Sequence, residues 1–595
     1  MTPREEYQKR QTQWQAERNL AERLFIRIGN WRLLLGIIEA VLAYLVFGPH
    51  LVPVWLLLLP ALAFIALAAW HSRVMRRRTL ADRALRFYGR ALTRLDDRWQ
   101  GTGNTGDRFA DSSHVYSGDL DLFGKGSLFE LISNTRTAAG ENTLADWLLA
   151  PASLEEVLAR QSAIKELQNR LDLREDLALL GSDIQADVHV DALRRWGTAP
   201  PVIFPPVLRP IAALLGALGL VLLVEFFAQK VPFWLLAGVA GVNVAIGYWL
   251  RSRVRQVLEA AETAAGHGLD VLSLILERLE RESFQSPYLQ NLRKQLVVEG
   301  KPASARIAQL GRWIDWLHSS DHSLLRAIGP VVLLFTQLAL GIENWRRRSG
   351  QHVSQWLNAV AELEALSSFA SLAFEHPGWS FPALNETGSP CFEACDLQHP
   401  LLPESRSVPN DLAFTGDLKL LIVSGSNMSG KSTLLRAVGL NCVLAWAGAP
   451  VGARRLRLSP LQIGASIRVT DSLLDNRSRF FAEISRIRQI VDLTKKNRPV
   501  LFLLDELLSG TNSHDRRIGA AAIIHKLIQS QAIGLVTTHD LALAHIQQDL
   551  NGSAQNVHFD DRIVSGQIEF DYRLKPGVVT HSNALELMRA VGLEV

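Results

Sequence analysis

Residues 418–423 form a run that is apolar except for Lys419, and it opens directly into Gly425-Ser-Asn-Met-Ser-Gly-Lys-Ser-Thr433, with a helical pattern beginning at Leu434. A buried strand, a glycine-rich turn and a helix in that order form a P-loop, which requires an α/β sheet around it. Gly425 and Gly430 let backbone N–H groups close around phosphate oxygens, where the helix N-terminus adds its positive dipole end. Lys431 is placed to reach the β- and γ-phosphates, and the Ser432 hydroxyl to ligate Mg²⁺. The candidate ATP-binding residues are Gly425, Ser426, Asn427, Met428, Ser429, Gly430, Lys431, Ser432 and Thr433.

A second apolar run, 500–504, ends in Asp505-Glu506. Five consecutive apolar residues mark a parallel strand buried on both faces, and acids at its carboxyl end lie where α/β sheets bind ligands. Asp505 is expected to hold Mg²⁺ and Glu506 to orient or activate the attacking water, because phosphoryl transfer depends mainly on positioning and charge stabilisation. A third run, 533–538, delivers His539-Asp540. A histidine there either senses the γ-phosphate or the attacking water, or is a structural residue.

The order of these segments resembles the ATPase domain of the MutS family: the P-loop stretch, then Ser478-Arg-Phe480 with Glu483, then Leu504-Asp-Glu-Leu-Leu-Ser-Gly-Thr-Asn512, then Thr538-His-Asp540. The Asn427-Met428 pair is what separates it from other P-loop proteins. The resemblance implies an ABC-type, MutS-like domain in which two ATPs are sandwiched between two copies of the chain, a homodimer. It implies that Ser478 reaches the γ-phosphate of the opposite subunit, and that 509–512 crosses the dimer interface. Gln398-His-Pro-Leu-Leu402 is similar to the family's segment before the nucleotide domain, and Phe570-Asp-Tyr-Arg-Leu-Lys-Pro-Gly577 with Asn583-Ala-Leu585 to its closing segment. DNA is the partner the resemblance implies.

At 595 residues the chain has room for about four domains. Its hydrophobic fraction of 48% is ordinary, so a membrane signal has to be local. Two pairs of almost wholly apolar segments supply one: 33–47 with 51–70, and 211–228 with 233–250. The second segment approaches the roughly 20 residues that cross a hydrocarbon core, whereas the first is shorter and carries Glu39. Arg27, Arg32, Arg73, Arg76, Arg77 and Arg78 flank the first pair; Arg194, Arg195, Arg209, Arg251, Arg253 and Arg255 flank the second. With arginines at every outer end, both pairs read as transmembrane hairpins in an inner or plasma membrane, multi-pass, with the ATPase domain cytoplasmic. Soluble cores rarely use adjacent apolar segments of this length with basic flanks.

Residues 1–30 interleave basic and acidic side chains, which reads as a solvated amphipathic helix, and their polar preface is too long for a signal peptide. The run 328–342 is shorter, contains Thr336 and Gln337, and reads as a core helix. A net charge of +4 tolerates an anionic partner without arguing for one. Three cysteines are too few for a disulfide framework, and Cys391-x-x-x-Cys395 with His399 lacks a fourth zinc ligand.

Helical spacing over 126–167 and again over 251–374 resembles the two halves of the MutS core, or lever, domain. The organisation expected is a cytoplasmic amphipathic segment (1–32), a first transmembrane hairpin (33–70), the first part of an all-α core (71–209), a second hairpin (210–250), the second part of the core (251–380), and an α/β P-loop NTPase domain (381–595). The Phe-x-Glu wedge with which mismatch readers intercalate is not carried: Phe129-Glu130 has the wrong spacing and Phe481-Ala-Glu483 lies inside the ATPase signature. The function expected is a membrane-anchored ATPase that binds and hydrolyses ATP with Mg²⁺ as a homodimer and binds DNA. The alternative is a membrane-bound motor or signalling ATPase that does not bind DNA.

Overall fold

The computed structural model describes residues 2–180, 190–266, 268–319, 328–385, 389–426, 428–468, 479–539, 544–550, 552–564 and 567–579. The first helix, α1 (Pro3–Phe47), is continuous over 45 residues. Thr2 and Glu5 close a capping box at its start, Pro3 occupies the first turn, and Gly48-Pro49 ends it. It runs along α2 (Leu58–Leu95). The charged stretch expected to be an amphipathic helix is helical from Pro3 and runs without a break into the first apolar segment, with a narrow buried stripe and the rest of its surface open. Tyr7, Ala21 and Ile28 are buried, and the ion pairs Arg18–Asp82 and Arg78–Glu22 tie the charged half of α1 to α2. Periodicity shows an apolar stripe but not the partner that covers it.

Helices α3 (Leu208–Phe227) and α4 (Phe233–Ala265) form the second pair. Four helices are long and apolar enough to cross a membrane by length and composition: α1, the helical stretch Val54–Leu95 that contains α2, α3 and α4. Trp31, Tyr44 and Trp55 on the first pair, and Phe227, Trp234 and Trp249 on the second, are exposed. Soluble monomers rarely expose apolar surface of this extent.

The helix expected from the run 328–342 begins only at residue 334. Before it, Leu333 takes a left-handed conformation, and the chain enters α5 (Leu334–Glu375), whose 42 residues span about 63 Å. The entry is wedged between α3 and α4: Asn243 Nδ2 donates to the Val331 carbonyl at 2.5 Å. A Cβ on Gly216 would come within 2.7 Å of the Val332 carbonyl oxygen, and one on Gly219 within 2.4 Å of that of Val331. Only glycine permits such an approach. Helices Ala138–Leu149, Leu154–Leu167, Val190–Thr198 and Ala303–Ser319 then surround α5 and bury Trp356 and Phe369. At its far end Glu375 is gripped by Arg94 of α2, with Tyr7 of α1 donating to the same carboxylate.

The C-terminal part is a six-stranded sheet: β1 (Leu420–Ser424), then α6 (Lys431–Ala447), β2 (Gln462–Ser466), α7 (Arg479–Leu493), β3 (Val500–Leu504), α8 (Ser513–Gln529), β4 (Ile533–Thr538), β5 (Ala554–Val564) and β6 (Gln567–Pro576). The strand order is β6-β5-β1-β4-β3-β2, parallel throughout except for the β5–β6 hairpin. Every residue of β1, β3 and β4 is buried, as a sheet covered on both faces requires. Residues 111–121, far upstream in sequence, strap onto this sheet. The Val115 carbonyl accepts from Ala465 N at 2.9 Å, and Asp119 Oδ1 accepts from Ile467 N at 2.7 Å and Arg468 N at 2.8 Å. One buried apolar cluster continues from the helical part into the sheet.

Candidate active site

The loop between β1 and α6 turns at Gly425 (φ 151°) and Gly430 (φ 103°). A Cβ on Gly430 would also press on the Tyr572 ring at 3.2 Å. Met428 takes φ 70° and is 85% exposed, while Asn427 lies outside the described residues. Lys431 folds back into the loop, its Nζ donating to the carbonyls of Gly425 at 2.9 Å and Ser426 at 2.7 Å. Burial holds its pKa below the ordinary lysine value, with Glu506 and Asp505 pulling the other way. Ser426 Oγ and Ser429 Oγ are buried with no hydrogen-bond partner among the described residues. Orphaned hydroxyls cost stability unless a ligand satisfies them, and these two flank the turn that the sequence assigns to phosphate.

Parallel pairing sets the carboxyl ends of β1, β4 and β3 side by side, which brings the acids to the loop. Ser432 Oγ donates to Asp505 Oδ2 at 2.5 Å. Thr537 Oγ1 donates to Asp505 Oδ1 and accepts from Glu506 N, the latter at 2.9 Å. The fully buried Thr537 thus fixes both acids, with Glu506 held at φ 47°. His539 Nδ1 lies 3.5 Å from Glu506 Oε1. A hydroxyl beside a carboxylate oxygen suits Mg²⁺, a hard cation that takes one or two protein oxygens and completes its shell from phosphate and water. Ser432 and Asp505 are the residues that would hold it.

A cleft of about 740 Å³ extends from Lys431, Ser432, Thr433 and Glu506 to a wall carrying His399, Leu402, Phe559 and Tyr572. Burial, reinforced by Arg436, lowers the His399 pKa to about 4, so the ring is neutral at physiological pH. Asn410 pins the outer hairpin over the loop: its Nδ2 donates to the Tyr572 carbonyl at 3.0 Å and its Oδ1 accepts from Leu574 N at 2.7 Å. That wall is mostly uncharged, with Arg406 as its one cation, and it shares the cleft with the lysine-bearing loop, an arrangement that matches a nucleotide's base and phosphates.

Sequence reasoning found the loop and both acids but passed over Thr537, Asn410 and Tyr572. A threonine ending a strand that pairs directly with the acid-bearing strand was the available signal for Thr537; Asn410 acts through tertiary contact alone. Ser478 and Asp540 lie outside the described residues. The 509–512 loop is tied to neighbouring residues of the same chain. Glu483 Oε1 accepts from Leu508 N at 2.6 Å, and Arg516 donates to the carbonyls of Leu508, Ser509 and Thr511. Among the described residues no cluster of three metal-ligating side chains forms, so Cys391, Cys395 and His399 make no zinc site there.

Family models match both parts of the molecule: MutS domain V over residues 421–594 and MutS domain III over 114–194. The chain thus carries two MutS-family domains. The domain V match takes in the P-loop, the acids and the cleft wall from Phe559 to Tyr572, and the domain III match ends before α3. Similar proteins include the DNA mismatch repair protein MSH3 of Phaeosphaeria nodorum, 26% identical over 539 residues, which cover 80% of this chain and 47% of that one. The DNA mismatch repair protein MutS of Listeria innocua is 25% identical over 504 residues (78% and 57%), and that of Chlorobium phaeobacteroides 26% over 519 (79% and 57%). The chain spans about half the length of the curated relatives it matches.

Proposed function

We propose that this chain is a membrane-anchored MutS-type ATPase that binds and hydrolyses Mg²⁺-ATP as a homodimer and couples the nucleotide cycle to a DNA grip by its helical core. The observation that carries the ATPase reading is the convergence of Lys431, Ser432, Asp505, Glu506 and Thr537 at one end of the sheet, beside two orphaned serine hydroxyls. Lys431 would neutralise the phosphates, and Ser432 with Asp505 would hold Mg²⁺, which supplies charge stabilisation to the transferring phosphoryl group. Glu506, fixed through Thr537, would orient the attacking water and take its proton, with His539 beside it. The DNA part rests on the relatives, whose names declare mismatch repair.

A second reading, a motor or signalling ATPase without DNA, is favoured by α5. That helix runs from the wedge between α3 and α4 to the Arg94 and Tyr7 contacts on the first helix pair, and just beyond its end Ser380 N donates to the Val451 carbonyl of the C-terminal part, so one rod links both apolar pairs and leads into that part. One experiment separates the two: the ATPase rate of the full chain in detergent, alone and with homoduplex, mismatched and branched DNA, at two salt concentrations. Stimulation by one DNA structure, absent in Glu506→Gln, supports the first reading. Robust turnover indifferent to every DNA overturns it and leaves the second.

A further inference from the structure

A groove of about 530 Å³ runs along α4, bounded on its other side by residues 329–336 and the end of helix Ala303–Ser319. Its two ends differ in chemistry. From Asn243 to Tyr248 the α4 wall is mostly apolar and faces outward, with Val244 and Tyr248 exposed. Arg251, about 12 Å further along the helix axis from Asn243, begins the charged end. Four ionisable groups on α4 line that end, and three are engaged: Arg255 pairs with Glu259 at 2.6 Å, and Glu262 accepts His318 at 3.1 Å. Arg251 has no ion pair among the described residues; its guanidinium lies over the Tyr248 ring, 4.1 Å from the centroid.

We propose that this groove is a binding site for an anionic phospholipid, the acyl chain lying against Val244, Gly247 and Leu333 and the phosphate on Arg251. The proposal rests on reading α3 and α4 as a membrane hairpin. The complementarity is specific to an amphiphile: an apolar channel open along the exposed face of a candidate span leads to one uncompensated cation at the end of that span. A soluble phosphate has no use for the apolar length, and a zwitterionic lipid brings its own ammonium beside its phosphate, which leaves Arg251 less well compensated than a net anionic headgroup does. Because residues 329–336 form the other wall and lead into α5, an occupied groove braces the membrane end of the lever helix.

The test uses the full chain, with flotation on phosphatidylcholine vesicles as the first arm. Wild-type protein that fails to float overturns the membrane reading and the lipid site with it. The second arm reconstitutes the protein in phosphatidylcholine discs containing phosphatidylglycerol, washes it in detergent, and identifies retained lipid by native mass spectrometry. Wild type and Arg253→Gln, which alters an exposed arginine outside the groove, are expected to retain phosphatidylglycerol above its bulk share. Arg251→Gln should float normally yet lose about fivefold of that enrichment, the worth of one arginine at an anionic surface. Gly247→Phe fills the channel, where a Cβ meets only Leu333 at 3.9 Å, and should exclude the lipid with Arg251 intact. A floating wild type without enrichment, or enrichment unchanged in either groove variant, overturns the site while leaving the membrane reading in place.

Discussion

Replacing Arg94 by methionine tests the junction that clamps the N-terminal helix pair to the end of α5. The Arg94 and Glu375 side chains are 5% and 2% exposed, and Arg94 Nε donates to Glu375 Oε2 at 2.7 Å while its second nitrogen bonds Oε1. Tyr7 Oη adds a third bond to that carboxylate at 3.1 Å. Removing the arginine leaves a buried charge facing one hydroxyl, and breaking a buried pair in this way costs about 3–5 kcal/mol. Replacing both residues by methionine removes the desolvation penalty with the attraction and should cost far less than the two single changes summed. Denaturant unfolding in detergent, followed by tryptophan fluorescence and by hydrogen exchange of peptides from α1 and the end of α5, measures this cycle. A helical core followed by its own probes is needed because the chain need not unfold in one step. Additive single costs, or a cost for Arg94→Met under about 1 kcal/mol, would refute the clamp.

At the nucleotide site, Lys431→Ala should abolish ATP binding by equilibrium dialysis, whereas Glu506→Gln should bind normally and hydrolyse about 10²–10⁴-fold more slowly in single-turnover assays. Thr537→Val keeps the shape but removes the bridge between Asp505 and Glu506 N; a lower apparent affinity for Mg²⁺ and a fall in kcat of about tenfold are expected from Mg²⁺ titration, and unchanged kinetics would remove Thr537 from the site. Burial raises the Glu364 pKa to about 7, against the hydrogen bonds Thr137 donates to it. A raised acid stabilises the fold fully below its unfolded value and loses that contribution as pH rises, so stability should decline between about pH 4.5 and 7. Glu364→Gln should flatten that decline in thermal melts. Gly219→Leu should drive residues 328–334 off the α3–α4 pair, seen as faster hydrogen exchange there and not in the nucleotide domain.

The nucleotide site was legible because its chemistry is local. Strand, glycine turn and helix follow one another without interruption from Leu420 to Ala447, and Asp505-Glu506 follows its own buried strand, so periodicity and motif spacing locate them without the fold. The apolar pairs were legible for the same reason: length, composition and flanking arginines are properties of contiguous segments. What a strand or helix packs against is not such a property. Nothing in the Thr537 sequence context states that its hydroxyl sits between two acids on the neighbouring strand, and nothing at Asn410 points to Tyr572.

The chain itself determined that an α/β sheet carrying a P-loop forms, which residues are candidates to meet phosphates and metal, and where four long apolar helices lie, because each is encoded by neighbours in sequence. Only the tertiary structure decided that α1 is one helix buried against α2, that residues 111–121 complete the sheet's edge, and that α5 starts between Gly216, Gly219 and Asn243 and ends at Arg94 and Tyr7. Those contacts join residues from about 55 to about 370 positions apart, and their free energy comes from burial and close approach that exist only once the chain has closed on itself.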